Sequence, residues 1–283
     1  MSTESQFITD DQREQFVRDG FVRVAGLIPT ATVESTREAI ADALELDESD
    51  PRSWEGKPST LGDLWQPTVA CKTEEIYQAA GELVGPNYST DPRGYSPYRE
   101  ARGMDPWGEG FIPVLRYPES GPVAETGPQL TGWHIDGMHL TSFWPLQRYL
   151  VLFIYLSDVS ERGGATVVRP GSHRQVFERG YRRYHAAPEA VVSYTEMSDL
   201  HYQDPIAVEG HAGDVLFMHY LMVHSGSLNY DHHIRYGLNS SIRVDSARPY
   251  RHRDGAPEAD WTPLDYTMRI DNLPEPAALA PAG

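Results

Sequence analysis

The sequence predicts a mainly β domain with a small helical section at its N-terminus. From Phe111 onward, short apolar runs follow one another with Gly- and Pro-containing turns between them: FIPVLRY, TGWHIDG, YLVLFIYLSDV, ATVVRPG, DPIAVEG, GDVLFMHYLMVH and IRYGLNSSIRV. That rhythm is the pattern of an antiparallel sandwich or barrel. Ahead of those runs, helix caps replace strand alternation. No composition break divides the 283 residues, and an apolar fraction of 40% supports one large domain over 1–283 with a sizeable core.

The elements read in order as follows. Thr9 caps DDQREQFVRD with Gln12 as its capping-box partner, and Gly20 ends that helix. FVRVAGLI is a short strand and loop. Thr30 opens ATVESTREAIADALEL, in which Val33, Ile40 and Leu44 fall near one helical face. A third helix covers Glu74 to Leu83. Residues 47–110 are rich in Pro, Gly, Asp and aromatics, including Trp54, Trp65, Tyr88, Tyr95, Tyr98 and Trp107. They read as an irregular excursion that packs its aromatics on the core and walls or lids a pocket. PEAVVSYTEM reads as an inserted loop or short helix. The tail, 273–283, is Pro/Ala-rich and frayed.

The formal charge is −17, from 41 acidic and 24 basic residues. A surface that negative repels phosphate backbones and anionic lipid, which argues against nucleic-acid and membrane-surface partners. The single cysteine, Cys71, has no internal partner and reads as a small buried apolar residue. A reducing, cytoplasmic setting fits. The start, MSTESQFITDDQREQF, has no apolar core and is no signal peptide. The longest apolar run, Tyr149 to Leu156, has strand length, well short of the ~20 residues that span a bilayer. GGATVVRPG lacks a phosphate-binding glycine pattern and no GxSxG elbow occurs, so nucleotide binding and a serine triad are unsupported.

The chemistry concentrates in two places. In GWHIDGMHL, His134 and Asp136 stand two apart, so on an extended strand both point the same way. An imidazole nitrogen beside a carboxylate oxygen forms two adjacent corners of a metal octahedron. One imidazole from another strand completes a 2-His-1-carboxylate face with three open positions. The second place is GDVLFMHYLMVHSGSLNYDHHIRYGLN, which offers His224 near the end of an apolar strand and Arg235 eleven residues on. A guanidinium set deeper than the metal grips a carboxylate in two-point fashion.

WHID, GGATVVRPGSH, GDVLFMH and HSGSLNYDHHIR, in that order and after an opening FVRDGFVRVAGLI that a helix follows, together resemble the phytanoyl-CoA dioxygenase family of iron(II)/2-oxoglutarate oxygenases. The likeness runs from roughly residue 7 to residue 245 and is weakest across 47–110. It implies a double-stranded β-helix, a jelly-roll core with the metal between its sheets. It implies His134, Asp136 and His224 as Fe(II) ligands and Arg235 on the far carboxylate of 2-oxoglutarate. Asn229 matches the family's asparagine in the turn before the arginine and would hold that loop. Arg116, on the strand before the His-x-Asp segment, would help bind the cosubstrate, and Trp133 would wall it or belong to the core. One departure stands out: where the family has serine two residues past the distal histidine, this chain has Gly226, flanked by Ser225 and Ser227.

The implied reaction consumes O2 and 2-oxoglutarate, releases succinate and CO2, and hydroxylates a C–H bond of a small molecule, a natural-product intermediate or modified amino acid. Asp136 argues against halogenation, because related halogenases have a small residue there. Desaturation, ring closure and epoxidation stay open. Two other classes compete: a non-catalytic metal-binding jelly roll, and a metal-dependent hydrolase or isomerase using the same triad, which would have no need of Arg235. The remaining histidines have plainer readings. His219 is a core histidine, His173 a turn residue capping a strand end, His139 a packing residue, and His232 and His233 are solvated.

Overall fold

The computed structural model describes residues 7–61, 66–84, 111–121, 127–136, 149–186, 199–243 and 263–267. Helix α1 spans Asp10–Asp19. Its start is a capping box: the Gln12 N–H donates to Thr9 Oγ1 at 3.2 Å, and the Thr9 N–H donates to Gln12 Oε1 at 2.9 Å. Gly20, at φ 85, closes it in the left-handed conformation, its N–H bonded to the Phe16 carbonyl. Strand β1 (Phe21–Val24) follows, then α2 (Thr30–Leu44) and α3 (Glu74–Val84), the last one residue longer than its apolar face predicts. Two 3-10 turns, Pro51–Trp54 and Gln66–Cys71, lie between α2 and α3. Trp54 packs against the core, and Cys71 is fully buried with its thiol pushed up by that burial.

The strands come next: β2 (Ile112–Arg116), β3 (Tyr149–Tyr155), β4 (Thr166–Val168), β5 (Ile206–Val208), β6 (Val215–His219), β7 (His224–Ser225) and β8 (Arg235–Arg243). Helix α4 (Ser172–Ala186) separates β4 from β5, and a short α5 (Pro263–Thr267) closes the described chain. They form a five-stranded sheet in the order β1-β6-β3-β8-β2 and a three-stranded sheet in the order β5-β4-β7. Every pairing within them is antiparallel. No helix among the described residues is long and apolar enough to cross a membrane.

Period-2 alternation sorts the large sheet into two faces. Leu115, Leu150, Leu152, Ile154, Val215, Phe217, Tyr236 and Leu238 join one cluster with Phe16, Val33, Ile40, Ile76 and Leu83 from the helices. Val151, Tyr155, Leu216 and Met218 join a second cluster with Val168 and Val208 from the small sheet. The near-continuous apolar run of β3 follows from being covered on both faces. The helical section therefore backs the large sheet, and the small sheet covers the opposite face.

Three expectations are corrected. GDVLFMHYLMVH is not one strand: β6 ends at His219, and His224 begins β7 in the other sheet. The apolar letters YLMV hide a turn whose N–H groups are met from inside. Leu221 N donates to His219 Nδ1 at 3.0 Å, Met222 N to His219 O at 2.9 Å and Val223 N to Ser172 Oγ at 2.9 Å. His173 is no turn residue; it lies in the first turn of α4, fully buried, because GSHRQVF starts a helix rather than ending a strand. The His-x-Asp segment is not a full strand. It makes one bridge, His134 to His224, and Asp136 follows in a turn. Part of the 47–110 excursion (62–65 and 85–110), PEAVVSYTEM, His139 and the 273–283 tail lie outside the described residues.

Candidate metal centre

The site is built where chain 129–136 runs antiparallel to 224–228. Main-chain bonds join Leu228 N to Gln129 O at 2.8 Å, Thr131 N to Gly226 O at 2.9 Å, and His134 to His224 in both directions at 2.9 Å. This pairing extends the small sheet beyond β7. It sets the rings of His134 and His224 4.2 Å apart and brings one ligand atom each from His134, Asp136 and His224 within 4.8 Å of one another. Asp136 Oδ1 lies 3.9 Å from His134 Nε2 and 3.8 Å from His224 Nε2.

The imidazoles are oriented by their own main chain. His134 Nδ1 lies 3.2 Å from the Gly132 carbonyl, and His224 Nδ1 lies 3.0 Å from the Met222 carbonyl. A carbonyl only accepts, so each Nδ1 carries the proton and each Nε2 presents a lone pair toward Asp136. Burial lowers the His224 pKa; the Asp136 carboxylate opposes that shift and His134 adds to it. Two neutral imidazoles and one carboxylate, with His134 and Asp136 still 40% and 30% exposed, are a donor set suited to a divalent ion with room for further ligands.

Across the interior, β2 and β8 supply the cations. Arg116 and Arg235 are directly paired in the antiparallel register, so both face the same side. Arg235 is 3% exposed. Its Nη1 donates to the Val114 carbonyl at 3.5 Å, and its Nε has no hydrogen-bond partner. Burial drives its pKa down to about 10, and Arg116 pushes the same way, while Tyr155 opposes. Burial also lowers Arg116, whose Nη1 donates to the Leu115 carbonyl at 3.1 Å. Among the described residues, neither guanidinium is paired with a carboxylate. A buried guanidinium without a counter-charge costs several kcal/mol, a cost that an arriving anion removes.

The remaining expected residues are placed as follows. The Asn229 amide donates to the Arg116 carbonyl at 2.9 Å and to the His233 carbonyl at 2.8 Å, while its Oδ1 accepts from Asp231 N at 3.0 Å. It therefore ties the end of β2 to the β7–β8 loop, which fixes Arg116 against Arg235. Trp133 is brought under Arg169, whose guanidinium carbon stands 4.5 Å from the ring, and packs in the inter-sheet cluster. His232 and His233 are exposed.

The Gly226 departure has a local cause. A Cβ at that position would lie 3.0 Å from Arg116 Nη2 and 3.0 Å from Thr131 Oγ1. The hydroxyls of Ser225 and Ser227 donate to the carbonyls of Gly226 and Ala165 at 2.7 and 2.8 Å. Thr131 and Arg116 thus take the space a serine side chain would occupy. Thr131 carries no motif signal; its role comes from pairing across 95 residues of chain.

Residues 111–237 match the phytanoyl-CoA dioxygenase (PhyH) family model. No curated protein sequence matches the chain. Among solved structures, the chain is similar to AviO1 from Streptomyces viridochromogenes Tue57, at 17% identity over 87% of this chain and 98% of that one, TM-score 0.52. It is similar to EctD from S. alaskensis, solved with 2-oxoglutarate and 5-hydroxyectoine, at 15% identity over 88% and 80%, TM-score 0.54. It is also similar to SnoK, a non-heme alpha-ketoglutarate-dependent carbocyclase from nogalamycin biosynthesis, at 19% identity over 83% and 84%, TM-score 0.51. At such identities these likenesses are of fold.

Proposed function

From a chain that is phytanoyl-CoA dioxygenase-like over residues 111–237, we propose an iron(II)- and 2-oxoglutarate-dependent oxygenase of a small molecule. The whole chain, 1–283, acts as one domain around a double-stranded β-helix. His134, Asp136 and His224 hold the ferrous ion, and Arg235 grips the far carboxylate of 2-oxoglutarate. When bound, this pair supplies, with O2, the oxidising power to attack a C–H bond, leaving succinate and CO2; hydroxylation is the expected outcome.

The observation that carries the reading is the pairing of a convergent donor set with a buried guanidinium that has no carboxylate partner among the described residues, across the same interior. His134 and His224 keep Nε2 deprotonated through their Nδ1–H bonds to main chain. Asp136 brings the negative charge that balances a divalent ion. Arg235 orients a dicarboxylate by a two-point contact, and Arg116 adds a second positive charge on the same face. A hydrolase using the same triad gives Arg235 nothing to hold.

Succinate release from 2-oxoglutarate under air, with added iron(II), tests the proposal directly. Arg235→Ala should raise the 2-oxoglutarate requirement about 10–100-fold, the worth of a lost charge-assisted contact. No cosubstrate-dependent succinate in the wild type, or an unchanged requirement in the variant, would overturn the oxygenase reading.

A further inference from the structure

The inner face of the large sheet is ordered in layers, and one of its polar residues, Asn239, has no role in holding metal or cosubstrate. The geometry points to Asn239 as the residue that orients the substrate: a small, largely apolar molecule with a hydroxyl or carbonyl near the C–H bond under attack. This rests on the oxygenase reading of the same interior.

The layers follow from register. Arg116 pairs with Arg235; Val114 pairs with Gly237, which pairs with Tyr155; Ile112 pairs with Asn239, which pairs with Phe153. Directly opposed residues share a face, with Cβ atoms about 4.5–5.5 Å apart. Two contacts identify that face as the inner one. The Tyr155 hydroxyl donates to the Val208 carbonyl of the small sheet at 2.9 Å. The Phe153 ring stands 6.2 Å from the ring of His224, edge toward face. Asn239 therefore lies one side chain from Phe153, which itself faces a proposed metal ligand.

Along β8 the inner positions begin Arg235, Gly237, Asn239, and Ser241, paired with Val151, follows. A Cβ on Gly237 would meet Arg235 Cζ at 3.0 Å, so the guanidinium lies across the middle layer. Four residues of strand put Asn239 roughly 13 Å further along than Arg235. The first layer thus suits the cosubstrate's carboxylate, and the third remains for the substrate. Exposure agrees: Arg235 is buried, whereas Ile112, Phe153 and Asn239 are half-buried. Asn239 has strands on both sides, so its exposure is to the interior space rather than past a sheet edge.

Chemistry sets the ligand class. An amide flanked by Ile112 and Phe153 is a polar group in apolar company. Its side chain makes no hydrogen bond to another described residue. Half-buried, the amide is met by water until a ligand group displaces that water and takes over its hydrogen bonds. One neutral amide, with two donors and one acceptor, matches a hydroxyl or carbonyl rather than a charged group. The apolar flanks match hydrocarbon.

The test uses the full chain loaded with manganese(II) and 2-oxoglutarate, and a probe pair that differs by one hydroxyl: toluene and benzyl alcohol, titrated calorimetrically. The ratio of the toluene Kd to the benzyl alcohol Kd should fall about tenfold in Asn239→Leu, the upper worth of one hydrogen bond. Asn239→Ser, a smaller change with a hydroxyl of its own, should keep the wild-type order. An unchanged ratio in Asn239→Leu, or a wild type that binds neither probe, overturns the assignment. Succinate release by the wild type is read separately. A flat probe ratio with 2-oxoglutarate consumed sinks Asn239 alone; a selective ratio with no 2-oxoglutarate consumed sinks the oxygenase reading alone.

Discussion

The rings of His134 and His224 stand 4.2 Å apart in the small sheet, and those of His173 and His219 stand 5.1 Å apart at the start of α4. Both pairs are close enough to share an ion, yet only the first is arranged for one. In the first, each Nδ1 is bonded to a carbonyl two residues back, and a carboxylate lies within 4 Å of both Nε2 atoms. In the second, Nε2 of His219 has no hydrogen-bond partner, the main chain of Val17 is what His173 meets, and no third ligand joins them among the described residues. His219 Nδ1 accepts from Leu221 N, so that ring supports the turn leading to His224. Burial holds His173 at a pKa of about 3 and pushes His219 well below its ordinary value. What separates a metal centre from packed imidazoles is the carboxylate, the fixed tautomer and the remaining access to solvent.

The largest effect that sharpens this contrast is on metal affinity. Asp136→Ala should weaken manganese(II) binding at least about 100-fold, because a ligand counts for more than the outer-shell partners that supply ~10–100-fold. His173→Leu should leave that affinity within about threefold. Calorimetric titration of both variants checks this, and equal losses would erase the distinction.

Next comes Gly20→Ala, which reaches the second pair through the backbone. A Cβ there would lie 2.5 Å from Met222 Cε and still closer to His173 Nδ1, at a φ of 85. Strain and overpacking together should cost roughly 2–4 kcal/mol in urea unfolding. A loss under 1 kcal/mol, on the order of an ordinary surface change, would mean the contact yields easily.

The smallest effect is pH dependence. His173 and His219 are neutral when folded, so the unfolded chain binds more protons below a pH of about 6.5. Their contribution is complete above that value and is lost as pH falls toward 3, the folded value of His173. The slope is about 1.4 kcal/mol per pH unit for each ring. Urea unfolding at pH 7 and pH 5.5 should differ by roughly 1–3 kcal/mol, and His173→Leu should flatten part of that slope. A flat wild-type profile would show that the pair is solvated after all.

Much of the local structure was legible in advance. The capping box at Thr9 and the left-handed Gly20 are written in adjacent residues, because their interactions are local. The same holds for the start of α2 at Thr30, the extent of α3 and the order of the strands. The turn at Tyr220–Val223 was not legible. Its N–H groups are met by His219 and by Ser172, 51 residues from Val223, so it needs neither Gly nor Pro. Nor was the helical setting of His173, whose burial depends on what packs above it.

The chain's own letters therefore fixed which residue types could bind a metal and a dicarboxylate, and in what order they occur. Only the tertiary structure decided that β7 leaves the large sheet, that 129–134 lies along it, and that Arg116 opposes Arg235. The physical reason is that alternation tells a side chain's face but not its sheet. Convergence on one point is set by hydrogen bonds between segments that sequence leaves far apart, such as the 2.9 Å bonds between His134 and His224.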